Sequence, residues 1–293
     1  MKFSSGGAFR RALEDRLRSI SLQKGEPLIR LRKLVAFDRF LARLILDQPG
    51  QWIVKGGLAL QLRIKDHSRT TKDIDMLVFA EHQEILPALK ISVYQDLGDW
   101  FSFEVIETSN QRLENFGGFR YQIHSLLDGR TFEGFHVDVG LGDPMVEPAD
   151  YFSTPPLLEF AGLKPTLVPC FPVSQQIAEK VHAYTRPRLS GEPSRVKDFV
   201  DILLLAKFGE INRMGLLQAI QATFQFAGTH PVPTNIPLPP QSWTPIFKKM
   251  ANDVGLIDTT LDQAYSKIQQ FIDPLLKGEI VGTHWNPESW TWK

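Results

Sequence analysis

Trp52-Ile53-Val54-Lys55-Gly56-Gly57-Leu58-Ala59-Leu60 and, a short way on, Arg69-Thr70-Thr71-Lys72-Asp73-Ile74-Asp75-Met76-Leu77-Val78-Phe79 decide the reading of this chain. Trp52, Ile53 and Val54 predict a short buried strand. Gly56-Gly57 removes two side chains where that strand turns into Leu58-Ala59-Leu60-Gln61-Leu62. Without a Cβ the backbone can approach a ligand closely and offer N–H groups to phosphate oxygens. Asp73 and Asp75 are separated by one isoleucine in a segment that continues as a second strand. Period two puts both carboxylates on one face and turns Ile74 into the core. Two hard oxygen ligands so placed suit Mg²⁺, which is held by one or two carboxylates together with substrate phosphates.

Working outward, the chain has 293 residues, enough for one large or two ordinary domains with a core. No apolar run reaches membrane-spanning length and the N-terminus lacks a signal-peptide pattern, so a soluble cytoplasmic protein is the expectation. The lone Cys170 excludes an intramolecular disulfide framework and a cysteine-based zinc cluster. With 33 basic and 33 acidic residues the formal net charge is zero, but residues 1–50 are rich in arginine and lysine. Two readings of Lys2, Arg10, Arg11, Arg16, Arg18, Lys24, Arg30, Arg32, Lys33, Arg39 and Arg43 stand side by side. They form a basic surface for nucleic acid, or they are the solvated faces of two amphipathic helices carrying Leu13, Leu17 and Ile20, then Leu31, Leu34, Val35, Phe40, Leu41, Leu44 and Ile45.

A helix over 81–91 follows the second strand, then a strand from Trp100 to Thr108. Phe119–Leu127 and Thr131–Val139 predict a hairpin around Asp128-Gly129. Helices followed by a small mixed sheet argue for an α+β half. Prolines 155, 156, 165, 169 and 172 mark a loop-rich connector. Beyond it, helices are expected over 173–185, 195–207, 212–226, 243–254 and 258–276. His230 to Pro240 is too rich in proline to be helical and reads as an extended crossover. The expected division is residues 1–168, a catalytic domain with two leading helices, and 169–293, a mainly helical domain.

Gly-Gly, a spacer, then Asp-x-Asp on a strand resembles the nucleotidyltransferase superfamily of DNA polymerase β. The longer form here, Lys-Gly-Gly-x-Ala-Leu with Arg-x-Thr-x-Asp-x-Asp, resembles the AbiEii/AbiGii family of bacterial toxins more narrowly. Gln175 to Arg186 is similar to the family's third motif, and Ser194-Arg195-Val196-Lys197-Asp198-Phe199-Val200-Asp201 to its fourth. One departure is Leu58, where the family often has threonine. The resemblance implies a nucleotidyltransferase-like mixed sheet with flanking helices and Mg²⁺ held by Asp73, Asp75 and Asp138. It implies nucleotide contacts from Lys55, Gly56, Gly57, Arg69, Thr71, Lys180, Arg186 and Arg195. It further implies transfer of nucleotides from a nucleoside triphosphate to the 3′ end of tRNA, and a cognate antitoxin protein as partner. A monomer is expected.

Nucleotidyl transfer needs an acid near the attacking hydroxyl. In Phe135-His136-Val137-Asp138-Val139 the valines face the core, so His136 and Asp138 share the other face. Asp138 is read as that acid, against a strand-end aspartate before the Gly140-Leu141-Gly142 turn. Lys180 is a point charge suited to the β- and γ-phosphates, with Arg186 assisting. Asp198 and Asp201, three apart on one helix face, are both catalytic candidates, one of them to orient Lys180 or contact the nucleotide. The plainer reading is a helix start capped by Ser194 with acids in its first turns. Two other functions remain open: nucleotide transfer to a protein or small molecule, and nucleotide binding without turnover.

Overall fold

The computed structural model describes residues 1–80, 82–112, 118–187, 195–256, 259–279 and 282–293, with backbone only at 66, 82 and 107–112. Ser194, the candidate cap, therefore lies outside the described residues. The chain divides into two compact units. One comprises residues 1–62, 70–142 and 151–170, the other 63–69, 143–150 and 171–293.

The first unit opens with α1 (Gly6–Lys24), whose Ser5 hydroxyl accepts the Ala8 N–H at one end and whose Gly25, at φ 68°, stops it at the other. Phe9, Leu13 and Leu17 are its buried stripe. α2 (Leu28–Asp47) buries Leu31, Leu34, Val35, Phe37, Phe40, Leu41 and Leu44, the spacing read from the sequence. Then come β1 (Trp52–Lys55), α3 (Gly56–Ile64), β2 (Ile74–Val78), α4 (His82–Val93), β3 (Phe101–Arg112), β4 (Phe119–Leu127) and β5 (Arg130–Leu141). Two short strands, β6 (Asp150–Ser153) and β7 (Leu167–Cys170), lie in the proline-marked connector, where no strand was expected. Four-residue strands beside prolines leave too few alternating positions to register as a period.

The seven strands form one mixed sheet in the order β3-β4-β5-β2-β1-β7-β6. β1 runs antiparallel to β2 and parallel to β7, while β2 runs parallel to β5. The β4–β5 hairpin turns at Asp128-Gly129, both in the left-handed region at φ 55° and 68°, as a two-residue turn of this composition requires. Ile74, Met76, Val137, Val139, Tyr121 and Ile123 belong to the same core as the buried faces of α1 and α2.

One irregularity sets the register of this hairpin. Leu126 pairs with Thr131 but Ser125 pairs with Glu133, so Phe132 is an extra residue in β5. Ser125, fully buried, donates its hydroxyl to the Glu133 carbonyl at 2.8 Å and accepts the Glu133 N–H at 3.1 Å. Arg32 of α2 donates to the Phe132 carbonyl at 2.5 Å, and Lys33 donates to the Gly134 carbonyl at 2.8 Å. Arg10 of α1 donates to the carbonyls of Leu127, Arg130 and Thr131. Arg43 makes a buried two-pronged ion pair with Asp99 at 2.7 and 3.0 Å, and Arg39 pairs with Asp38 at 2.7 Å. These arginines and Lys33 are thus neither simple solvated faces nor open nucleic-acid contacts. Most of their donors go to the bulged hairpin and the core, leaving Arg11, Arg16, Arg18 and Lys24 as the exposed basic residues of α1.

The second unit carries α5 (Val173–Thr185), α6 (Val196–Phe208), α7 (Arg213–Ala227), α8 (Thr244–Asp253), α9 (Leu261–Lys277) and a small hairpin, β8 (Trp285–Asn286) with β9 (Thr291–Trp292). The helix bounds fall close to those read from periodicity, with Asn212 capping α7 and a Thr260–Gln263 capping box opening α9. The crossover at 230–240 is non-helical as expected. It is pinned by buried Ile236, whose N–H donates to Asp273 at 2.8 Å, and by its carbonyl, which accepts from Tyr265 at 3.0 Å.

Ser125→Ala leaves the Glu133 N–H and carbonyl without their side-chain partner inside the sheet. The expected cost is about 1–3 kcal/mol, read as a lower urea midpoint at unchanged slope. An unchanged midpoint would mean that the cations of α1 and α2 hold the bulge without the serine.

Candidate active site

In the first unit, strand pairing builds a row of charge on the sheet face opposite the core. Lys55 of β1 pairs with Asp75 of β2, Asp75 pairs with Asp138 of β5, and Asp138 pairs with Arg120 of β4. Directly paired residues project to the same side of a sheet. The order across the row is therefore lysine, aspartate, aspartate, arginine. Arg120 grips Asp138 with two parallel hydrogen bonds of 2.6 Å each. That hydrogen bonding, and the charges of Asp138, Asp73 and Asp75, push the guanidinium pKa further up against the opposing effect of burial.

Gly56, the first residue after β1, has φ 57°, a conformation that side-chain-bearing residues rarely adopt. A Cβ at this position would overlap the Asp75 carboxylate. The glycine thus makes room for an acid as well as for a ligand. Asp73 does not lie on the strand. β2 begins at Ile74, so period two does not by itself set its direction. Asp73 Oδ1 instead meets the His136 N–H and the His136 Nδ1, each at 3.3 Å. Thr71 also precedes the strand rather than sharing a face with Asp73. Its hydroxyl donates to the Asp73 carbonyl at 3.0 Å and the residue is nearly buried, which gives it a local bracing role.

Asp73 and Asp75 retain the hard oxygen chemistry that Mg²⁺ takes, and two carboxylates with substrate phosphates meet its demands. Among the described residues no group of three or more His, Cys, Asp or Glu is gathered closely enough to hold a metal ion. The three-acid set of Asp73, Asp75 and Asp138 is thus not assembled as it stands.

In the second unit Asp201 is the hub of another cluster. It is fully buried, accepts from Lys180 Nζ at 2.6 Å, and accepts from Arg69 Nε and Nη2 at 3.1 and 3.0 Å. Asp198 lies 3.7 Å from Lys180 and 3.1 Å from Arg195. The two acids therefore divide the work: Asp201 aligns Arg69 and Lys180, and Asp198 aligns Arg195. Burial alone would lower the Lys180 pKa, but the charges of Asp201 and then Asp198 reverse this and the net shift is upward. Burial would raise the Asp201 carboxyl, yet Lys180 and Arg69 hold it below its ordinary value. Arg186, at the end of α5, donates its backbone N–H to the His182 carbonyl. His182 is pushed down to about 4 by burial, helped by His230, Arg186 and Arg195, and is neutral near pH 7.

Arg120 escaped the sequence reading for a definable reason. An unbulged two-residue hairpin at Asp128-Gly129 pairs Asp138 with Phe119 and sends Arg120 to the core face. The single extra residue at Phe132 shifts the register and brings Arg120 opposite Asp138. A buried-type serine facing a Phe132-Glu133 step was the available signal.

A family model described as nucleotidyl transferase AbiEii toxin, type IV toxin–antitoxin system, matches residues 39–273. Among solved structures the chain is similar to MenT4, a nucleotidyltransferase toxin of Mycobacterium tuberculosis, at 16% identity and TM-score 0.53, covering 90% of this chain and 97% of that one. JHP933 of Helicobacter pylori is similar at 14% identity and TM-score 0.44, covering 84% and 92%. The first likeness bears on the fold, a mixed sheet with flanking helices and a helical C-terminal region. No curated protein sequence matches.

Asp201→Asn leaves Lys180 and Arg69 buried against a neutral amide, at an expected cost of about 3–5 kcal/mol near neutral pH. Because the Asp201 pKa is depressed, its contribution is complete above the ordinary value of 3.8 and is lost as pH falls through the lowered one. The Lys180 pKa is raised, so its contribution is complete below 10.5 and fades as pH rises through the higher value. Denaturant titrations should show the gap between wild type and Asp201→Asn wide from weak acid to weak alkali, closing in strong acid and narrowing above the raised Lys180 pKa. A gap that closes between pH 5 and 7 would contradict this pairing.

Proposed function

The chain belongs to the AbiEii family of nucleotidyltransferase toxins of toxin–antitoxin systems, and from that premise we propose that it transfers nucleotides from a nucleoside triphosphate to the 3′ end of tRNA with the help of Mg²⁺. The observation that carries the proposal is the Gly56–Asp75 approach, which places a carboxylate against a glycine turn at the end of β1. Asp73 and Asp75 would hold the metal, which supplies charge neutralisation to the triphosphate and to the developing alkoxide. The glycine turn offers N–H groups to phosphate oxygens. The acceptor hydroxyl oxygen attacks the α-phosphorus, the bond from that phosphorus to the β-phosphate oxygen breaks, and pyrophosphate leaves. The hydroxyl proton passes to Asp138, once its oxygens are released from Arg120.

The cluster around Asp201 supports a separate proposal, that Lys180 and Arg69 supply positive charge to a polyphosphate, with Arg186 and Arg195 nearby in sequence as further candidates. Asp201 and Asp198 are then positioning residues. Lys180→Ala should slow transfer on the order of a hundredfold, with Lys180→Arg restoring only part, because a planar fork does not replace a point charge. Unchanged turnover and triphosphate affinity in Lys180→Ala would reduce the cluster to a structural one.

The chain's other partners follow from its family: a nucleoside triphosphate and a cognate antitoxin. No helix among the described residues is long and apolar enough to cross a membrane. We expect a cytoplasmic monomer.

The decisive experiment incubates the protein with total cell RNA and protein and each α-labelled nucleoside triphosphate. Labelled tRNA, lost in Asp75→Asn, is the expected result. Label in protein or in a small molecule, with none in RNA, would replace the tRNA acceptor by another hydroxyl.

A further inference from the structure

Arg120 holds both oxygens of Asp138 at 2.6 Å and so competes with an acceptor hydroxyl for this carboxylate. A bidentate arginine–carboxylate pair takes one lone pair on each oxygen and fixes the carboxylate in the plane of the guanidinium. A group that draws the guanidinium away gives the hydroxyl the whole carboxylate, and the group that competes best for a planar fork with five donors is a phosphate. The Arg120 side chain is one-third exposed, so an incoming anion can reach it.

The place of Arg120 in the row says which phosphate. Gly56 and its turn follow β1, Asp75 is on β2, Asp138 on β5, and Arg120 on β4. Adjacent strands lie about 4.8 Å apart, so Arg120 is anchored roughly 14 Å from the strand that carries the glycine turn. It stands on the side of Asp138 away from Asp75. A triphosphate seated on the turn occupies one end of the row, and the other end is left for the acceptor. Gln122 and His124 continue the half-buried polar face of β4 beyond Arg120, with Gln122 Nε2 and His124 Nε2 3.0 Å apart.

Resting on the nucleotidyltransferase reading above, we infer that Arg120 is a positioning residue that locks Asp138 until a backbone phosphodiester of the acceptor strand takes the guanidinium and frees the carboxylate. The lock couples acceptor recognition to activation of the hydroxyl. It makes a nucleic-acid strand, with a phosphodiester next to its terminal hydroxyl, a better acceptor than a nucleoside or water. No bond is made or broken in the exchange; one charge-assisted hydrogen-bonded pair replaces another.

The test uses the full chain, an α-labelled nucleoside triphosphate, and three acceptors: a short RNA strand ending in a free 3′ hydroxyl, the matching nucleoside, and water. In Arg120→Gln the KM for the RNA strand should rise by about tenfold or more, with the KM for the triphosphate unchanged. Transfer to water, read as nucleoside monophosphate released without acceptor, should increase as Asp138 is unlocked. Arg120→Lys should recover part of the RNA affinity but not the low rate with water. If Arg120→Gln changes neither the RNA KM nor transfer to water, the inference fails. It fails equally if the triphosphate KM rises with the RNA KM, which would assign Arg120 to the nucleotide, or if all rates fall together with the melting temperature, which would make the pair structural. Asp75→Asn separates the two levels. If the wild type labels no RNA, and its release of monophosphate survives Asp75→Asn, the proposed site is wrong. If Asp75→Asn abolishes both and only the Arg120 variants behave as wild type, the site stands and the lock falls.

Discussion

One extra residue in β5 governs the chemistry of the sheet. With Phe132 inserted opposite the Ser125–Leu126 step, every residue of β5 beyond it is advanced by one against β4. Arg120 then meets Asp138, on the face away from the core. Without the insertion the side-chain period of two would send one of them to the opposite face. A bulge exposes backbone groups that a regular ladder would pair, and those groups have to be satisfied. Ser125 satisfies Glu133, while Arg32, Lys33 and Arg10 reach from the helices to neighbouring carbonyls.

That arrangement reassigns the basic N-terminal segment. A run of arginines on two amphipathic helices invites a nucleic-acid reading, and by sequence it cannot be told from a set of hydrogen-bond donors aimed inward. Here Arg43 and Asp99 are fully buried together, with Arg43 also serving the Phe101 carbonyl at 2.7 Å. A buried pair of this kind carries a desolvation cost that its hydrogen bonds offset in part. Its partners come from α2 and from the segment leading into β3. Helix and sheet are thereby held at a fixed register, and the row of charge on the far face inherits that precision.

The two acid clusters follow different logic. On the sheet, Asp73 and Asp75 remain partly accessible, which suits groups that bind a ligand. In the helical unit, Asp201 is wholly enclosed and satisfied by two cations, which suits a group that orients others. The same Asp-x-x-Asp spacing thus separates into a fully buried hub and a partly buried neighbour, because residue 201 falls on the inner stripe of α6 and residue 198 on its edge.

Local pattern determined much of this protein. The helical stripes of α1, α2 and α5 to α9, the left-handed Asp128-Gly129 turn, the glycine step after β1 and the alternation that exposes Asp138 all follow from residue type and spacing. The family signature from Lys55 to Asp201 is likewise linear. The short strands β6 to β9 were not legible, because two to four residues do not establish a period and their pairing partners supply their stability. Nor was the begin-point of β2, which leaves Asp73 and Thr71 outside the strand. Tertiary structure alone decided that Arg120 faces Asp138, that Gly56 gives way to Asp75, and that Arg69 joins Lys180 on Asp201. In each case the partners are brought together by strand register or by packing between distant segments, and neither is written in the spacing of residues along one stretch of chain.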